Sequence, residues 1–235
     1  PSRVVSYGSP EKLPGRLLLG FATSVTPGFS GEFPPICLFL ALDWGLADRR
    51  MLWRTGWVVE PAHDPIARWT TDAFRLAWPA VLRRHRLRVR FRRTASLAET
   101  SALLASLRGD VIFVATSWQE PIEKTVRVFE AAARRRHRPR LVFLDTSDPT
   151  ASPFFPLLPY VDLFVKKQLL TPLSRYRVPL RGGHVVADHV ARDQGIDPPE
   201  WHFGSVLPRA LEDRVVLGWN LASARHLVAS FAARQ

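Results

Sequence analysis

The sequence predicts an α/β protein, with a Rossmann-like parallel sheet that carries helices on both faces. Short, uninterrupted apolar runs, such as DVIFVA at residues 110–115 and LVFL at 141–144, are typical of strands that are buried on both faces. Segments with helix-capping residues separate these runs, and this alternation is characteristic of parallel α/β folds. With 235 residues, 46% of them hydrophobic, the chain is long enough to bury one large core.

The first predicted unit is a strand at residues 16–22, followed by a loop that contains Gly28, Ser30 and Gly31. Two prolines after this loop suit the first turn of a helix over residues 36–46. Many α/β domains bind phosphate with a strand, a glycine-containing loop and a helix in this order. We therefore expect Gly28, Ser30 and Gly31 to contact a phosphate or an acceptor. The alternative is an ordinary strand–helix turn.

The next predicted strand, at residues 57–60, is followed by a helix start, with Asp64 as the N-cap and Pro65 at the first helical position. Pro79 is expected to kink or split this helix. Arginines then alternate with apolar residues in the run RRHRLRVRFRR at 83–93, which predicts a half-exposed edge strand. We interpret this basic run as a solvated edge or, alternatively, as a patch that faces anions or a membrane.

The centre of the chain has the clearest pattern. Ser96 and Glu99 match a capping box at a helix start, and so do Ser117 and Glu120. The strand DVIFVA lies between the two predicted helices, and a basic run that suits a helix C-terminus ends the second one.

The predicted elements after residue 144 are shorter. The sequence VDLFV at 161–165 predicts a strand, and residues 184–192 predict a short helix that ends before Gly195. A last strand is expected at 215–217 and a final helix at 220–235.

Polar side chains follow two of these strands. Asp145, Thr146, Ser147 and Asp148 follow the strand at 141–144, and Lys166 and Lys167 follow the strand at 161–165. Ligands of open parallel sheets bind outside the carboxyl ends of the strands, so we expect these residues to form a site. The two carboxylates could act as a general base or bind a sugar hydroxyl or a metal, whereas the alternative is capping and turn chemistry. The lysines could bind phosphate, pair with a carboxylate or remain a solvated pair.

Two groups of residues that contain histidine are candidates for chemistry. His63 beside Asp64 could act as a base, although a role at the helix start is the simpler interpretation. His184 and Asp188 would share a helix face, but His189 is off that face, and no cysteine or glutamate cluster completes a tetrahedral set. No metal site is therefore expected.

The formal net charge of +12 comes almost entirely from arginine and favours anionic partners. The tryptophans do not alternate with the arginines along one strand, so binding of nucleic acid by stacking is not expected. The lone Cys37 excludes an internal disulfide, which fits a reducing cytoplasm. No apolar run is long enough to span a bilayer.

Three segments carry a family resemblance. PYVDLFVKKQLLTPLSRY, RGGHVVADHVARDQG and DRVVLGWNLA resemble the N-terminal half of bacterial GT-B-type glycosyltransferases, most closely at residues 162–170. The resemblance covers roughly residues 110–220. It implies a lead-in at 1–15, a Rossmann-like domain on the acceptor side at 16–220, and a helix at 221–235 that leads toward a second domain after Gln235.

The resemblance also implies a function. The intact enzyme would move a sugar from a nucleotide-sugar, as co-substrate and without another cofactor, to a sugar or lipid-linked acceptor. It would act in the cytoplasm, with its basic surface suited to peripheral contact at the inner face of the membrane. We assign the catalytic role to Asp145 and Asp148, and acceptor or phosphate binding to the glycine loop, Thr146, Ser147 and the two lysines. This piece alone is expected to be inactive. The alternative is a non-catalytic α/β module that binds an anionic ligand or partner.

Overall fold

The computed structural model describes residues 53–76, 79–147, 149–196 and 204–218. The expected elements at 16–22, 36–46 and 220–235 lie outside these residues. So do Gly28, Ser30, Gly31 and Asp148.

The described part of the chain alternates strands and helices, as the sequence predicts. The strands are β1 Arg54–Pro61, β2 Leu87–Thr94, β3 Val111–Val114, β4 Arg140–Asp145, β5 Leu163–Lys166 and β6 Val215–Leu217. The α-helices are α1 Pro65–Thr71, α2 Ala73–Leu76, α3 Pro79–Arg84, α4 Leu97–Ser106, α5 Ile122–Ala133 and α6 Val185–Gln194. Short 3-10 helices occupy Phe155–Tyr160, Leu173–Arg177, Arg181–Gly183 and Arg209–Arg214. None of the helices in the described ranges is long and apolar enough to cross a membrane.

The six strands form one sheet in the order β2-β1-β3-β4-β5-β6, and every neighbouring pair is parallel. This arrangement confirms the predicted Rossmann-like α/β fold. After β2 the chain crosses back over β1 to form β3, so the strand order reverses between β1 and β3. In open parallel sheets a crevice forms at such a reversal, outside the carboxyl ends of the two strands.

Alternate residues of each strand point to opposite faces of the sheet, and helices cover both faces. On one face, Val59, Val114 and Phe143 pack with Leu104 of α4 and Phe129 of α5. On the other face, Val58, Phe113 and Leu144 pack with residues of the first three helices, which include Ala67, Phe74 and Leu82. The apolar runs are therefore buried on both sides, as their lack of alternation predicts.

Two of the predicted helix starts are confirmed. The Asp64 Oδ1 atom accepts hydrogen bonds from the N–H groups of Ile66 and Ala67, both at 3.0 Å, and caps α1. The Ser96 Oγ atom accepts from the N–H of Glu99 at 3.2 Å. The Glu99 carboxylate reaches back one residue further than in the usual capping box, to the N–H of Ala95 at 2.7 Å.

The second predicted capping box is wrong. The α5 helix begins at Ile122, with Pro121 as its N-cap and no side-chain cap. The Ser117 Oγ atom instead accepts from the N–H of Gln119 at 3.4 Å. The serine and glutamate thus belong to a local turn before the helix, in which a serine hydroxyl bonds its own backbone two residues on.

Candidate functional site

Two of the predicted site residues meet at the carboxyl ends of β4 and β5. Asp145 and Lys166 are partners in the register of these strands, and each is the last residue of its strand. The Lys166 Nζ atom lies 3.2 Å from Asp145 Oδ2, and both side chains are fully buried. Of the alternatives considered for the two lysines, Lys166 pairs with a carboxylate and is not a solvated residue.

The ammonium group of Lys166 has three acceptors for its three protons. Besides Asp145, it donates to the carbonyl oxygens of Pro149 and Ala151, both at 2.9 Å. A lysine with this set of partners is no longer available to bind a phosphate. Lys166 therefore holds the loop after β4 against the end of β5.

The remaining residues of this region complete the same buried network. The Ser147 hydroxyl and N–H both donate to Asp145 Oδ1, the latter at 3.2 Å. Thr146 is also buried, whereas Lys167 is half-buried. The Tyr176 hydroxyl donates to the carbonyl of Thr150 at 2.9 Å. The Asp145 carboxylate thus accepts hydrogen bonds from Lys166 and Ser147. These bonds stabilise the loop that follows β4.

Asp162, in the segment with the strongest family resemblance, also has a structural role. Its carboxylate binds the Arg138 guanidinium and accepts from the N–H of Leu141 at 2.7 Å. Burial alone would raise the pKa of Asp162, but the hydrogen bonds from Arg138 and Leu141, with the charges of Arg138 and Arg140, lower it below its ordinary value. This contact fixes the start of β4 beside the start of β5.

A different set of polar residues surrounds a crevice at the carboxyl ends of β1, β2 and β3. The crevice is shallow and partly open to solvent, and its internal volume of about 10 Å³ is close to the space that one water molecule needs. Its polar lining includes His63, Thr94, Ser96, Thr116, Ser117 and Glu120. It therefore lies at the reversal of strand order, where parallel sheets bind their ligands.

Thr116 is the unusual residue of this crevice. Its side chain is 5% exposed, and its Oγ1 atom has no hydrogen-bond partner among the described residues. A buried hydroxyl without a partner costs roughly 1–3 kcal/mol. By contrast, the neighbouring hydroxyls of Thr94 and Thr100 are 3.0 Å apart and bond each other. Thr116 therefore has an unused hydrogen-bonding capacity at the wall of the crevice.

The chemistry of the crevice suits a ligand with hydroxyl groups. Hydroxyls of serine and threonine donate and accept, the Glu120 carboxylate accepts, and the exposed His63 imidazole can do either. Sequence reasoning singled out His63 as a candidate base, and Ser96, Ser117 and Glu120 only as helix caps. It missed Thr116, because a threonine after a buried strand carries no specific signal.

The polar residues near α6 pair locally with one another. Asp188 accepts from the Arg181 N–H at 2.8 Å and from the Arg192 side chain at 2.9 Å. His184 lies 3.3 Å from the Thr150 hydroxyl. Within the described ranges, no group of three potential ligands is close enough to hold a metal ion.

Comparison of the chain with protein-family models and with curated proteins gave no match. The protein can therefore be classified by its fold and by the position of its crevice. The described residues form a Rossmann-like α/β domain with a hydroxyl-lined crevice at its topological switch point.

Proposed function

We propose that this chain is the acceptor-side domain of a GT-B-type glycosyltransferase, which moves a sugar from a nucleotide-sugar to a hydroxylated acceptor in the cytoplasm. The observation that carries the proposal is the crevice between β1 and β3, with the buried, unpartnered Thr116 hydroxyl in its wall. The resemblance of residues 110–220 to such enzymes supports the same conclusion.

In this proposal the acceptor binds by hydrogen bonds to the crevice hydroxyls, including Thr116. Transfer requires that the attacking acceptor hydroxyl lose its proton, and His63 and Glu120 are the crevice residues that can accept it. Asp145 acts as a positioning residue for the loop after β4, because its side chain is fully buried and its carboxylate is already bonded to Lys166 and Ser147.

The experiment is a ligand-binding screen by saturation-transfer NMR. Neutral saccharides and glycosides, sugar phosphates and nucleotide-sugars would be tested separately against the chain. We expect neutral saccharides to bind and nucleotide-sugars to bind weakly or not at all, since the donor belongs mainly to the other domain of such enzymes.

A matched pair of variants tests the location. Thr116→Val removes the crevice hydroxyl and should weaken saccharide binding about fivefold, the worth of one hydrogen bond of about 1 kcal/mol. Thr125→Val removes a buried hydroxyl that donates to the Pro121 carbonyl in α5, outside the crevice lining, and should leave binding unchanged. If only anions bind and Thr116 has no effect, the non-catalytic anion-binding module is the better description.

A further inference from the structure

One segment of this protein is strongly basic. Residues 73–98 contain eight arginines and no aspartate or glutamate, whereas the whole chain has a formal net charge of +12. This segment includes β2, which is an outer strand of the described sheet. One edge of the described sheet is therefore strongly basic.

Three arginines of β2 form a row on one face of the sheet. Arg88, Arg90 and Arg92 are exposed, and as alternate residues of a strand they point to the same side. Their guanidinium groups lie over tryptophan rings of the neighbouring β1 region. Arg88 is 4.8 Å from the ring centroid of Trp53, and Arg90 and Arg92 are 5.6 and 5.1 Å from that of Trp57.

The charges of this arginine row are not neutralised within the described part of the chain. Arg93 and Arg75, on the other face of the sheet, bind the buried Glu60 carboxylate, each at 3.1 Å. No carboxylate among the described residues forms an ion pair with any of the three arginines of the row. The row therefore presents three guanidinium groups, each placed over an aromatic ring and without a carboxylate partner in the part of the chain that the structure describes.

The spacing of the row suits a linear polyanion. Alternate residues of a parallel strand are about 6.6 Å apart. Two stacked nucleotides of one strand rise by a similar distance, about 6.8 Å. Arginine is also the side chain that best matches phosphate, because its planar fork makes two hydrogen bonds at once.

We propose that the arginine row binds the phosphate backbone of single-stranded nucleic acid. From the sequence, nucleic acid is not an expected partner, because tryptophan and arginine do not alternate along one strand. In the structure the two residue types interleave across β1 and β2 instead. The half-exposed Trp53 ring at one end of the row, 45% exposed, offers a surface on which a base can stack.

The test measures the fluorescence anisotropy of a labelled single-stranded homopolymer as the chain is added, at several salt concentrations. The triple variant Arg88→Gln, Arg90→Gln, Arg92→Gln should weaken binding at least tenfold. It should also reduce the slope of log K against log salt by about 2, from roughly 0.7 for each of three lost phosphate contacts.

The control variant lowers the net charge by the same three units as the triple variant of β2, but at other sites. Arg127, Arg136 and Arg209 are exposed and lie outside β2, and their replacement by glutamine should weaken binding less than threefold. Equal losses in the two triple variants would overturn the proposal, because the binding would then follow net charge alone. The single variant Arg88→Gln, which should lower affinity severalfold, keeps the test decisive if the triple variant does not fold.

A vesicle arm separates nucleic acid from a membrane surface. Sedimentation with vesicles that contain phosphatidylglycerol is measured for the same variants. Binding to vesicles that depends on the arginine row, without binding to the oligonucleotide, would overturn the proposal in favour of a lipid surface.

Discussion

Lys166 Nζ and Asp145 Oδ2 lie 3.2 Å apart at the ends of two neighbouring strands, and neither side chain reaches solvent. A buried ion pair contributes little net stability by itself, since both charges lose their hydration. Its energetic effect becomes large when one partner is removed and the other remains as an uncompensated buried charge. The pair therefore makes the loop after β4 depend on both residues.

We expect Lys166→Met to lower the free energy of unfolding by about 3–5 kcal/mol, measured by urea denaturation. The double variant Asp145→Asn, Lys166→Met should recover part of this loss, because no unpaired charge remains. Lys124→Met, at an exposed position of α5, serves as the control and should change stability by less than about 0.5 kcal/mol. A loss no larger than that of the control would contradict the structural role of the pair.

Tyr176 should make stability fall at alkaline pH. Burial raises the pKa of its hydroxyl to about 12 from an ordinary value of 10.0, with Asp145 adding to the rise and the Leu170 N–H opposing it. The folded state therefore holds the proton more tightly than the unfolded chain. The resulting stability, on the order of 2 kcal/mol, is fully present below pH 10 and is lost as the pH rises toward 12.

The measurement is urea denaturation across this pH window, with Tyr176→Phe as the reference. The variant lacks the ionisable hydroxyl, so the difference between the two proteins should shrink as the pH rises. Parallel curves at all pH values would show that this hydroxyl does not cause the loss.

Asp162 should contribute to stability in the acid range. The pKa of its carboxyl is lowered in the folded protein, with Arg138 and Leu141 outweighing the opposite effect of burial. This contribution is present above the ordinary value of 3.8 and is lost as the pH falls through the folded-state pKa. Asp162→Asn should be less stable at neutral pH and should lose less stability on acidification, as followed by circular dichroism.

Thr116→Val should stabilise the protein in the absence of ligand. The hydroxyl is buried without a partner among the described residues, so replacing it by a methyl group of similar size removes a desolvation cost of about 1 kcal/mol. Thr125→Val should lower stability by about the same amount, because its hydroxyl has a partner at 3.1 Å. The unfolding temperatures of both variants, measured in one buffer, should change in opposite directions. A Thr116 variant that unfolds at a lower temperature than the original protein would contradict this account.

The parallel fold class and most of the element positions follow from local sequence, because a strand buried on both faces is an uninterrupted apolar run. The strand order was not predicted, since it depends on which strands pair. The half-exposed β2 was also predictable, since its arginines alternate with apolar residues at strand period. The start of α5 was not predictable from its capping pattern. A serine can bond the backbone in a turn as readily as in a cap, and the pattern S-x-x-E does not distinguish them.

The candidate site was harder to predict, because burial and pairing are not local properties. Asp145 and Lys166 follow apolar runs and were correctly placed at strand ends, but their sequence does not reveal that they neutralise each other. The crevice brings together residues such as His63, Thr94 and Thr116, which are far apart in the chain. Only the crossover at the switch point makes them neighbours.

The roles of Asp162 and Lys166 bear on which residues would determine substrate preference. Both lie in the segment PYVDLFVKKQLL, and both hold β4 and β5 in register rather than line the crevice. On the proposed function, substrate preference would depend on the crevice residues, whereas Asp162 and Lys166 would determine only the stability of the scaffold.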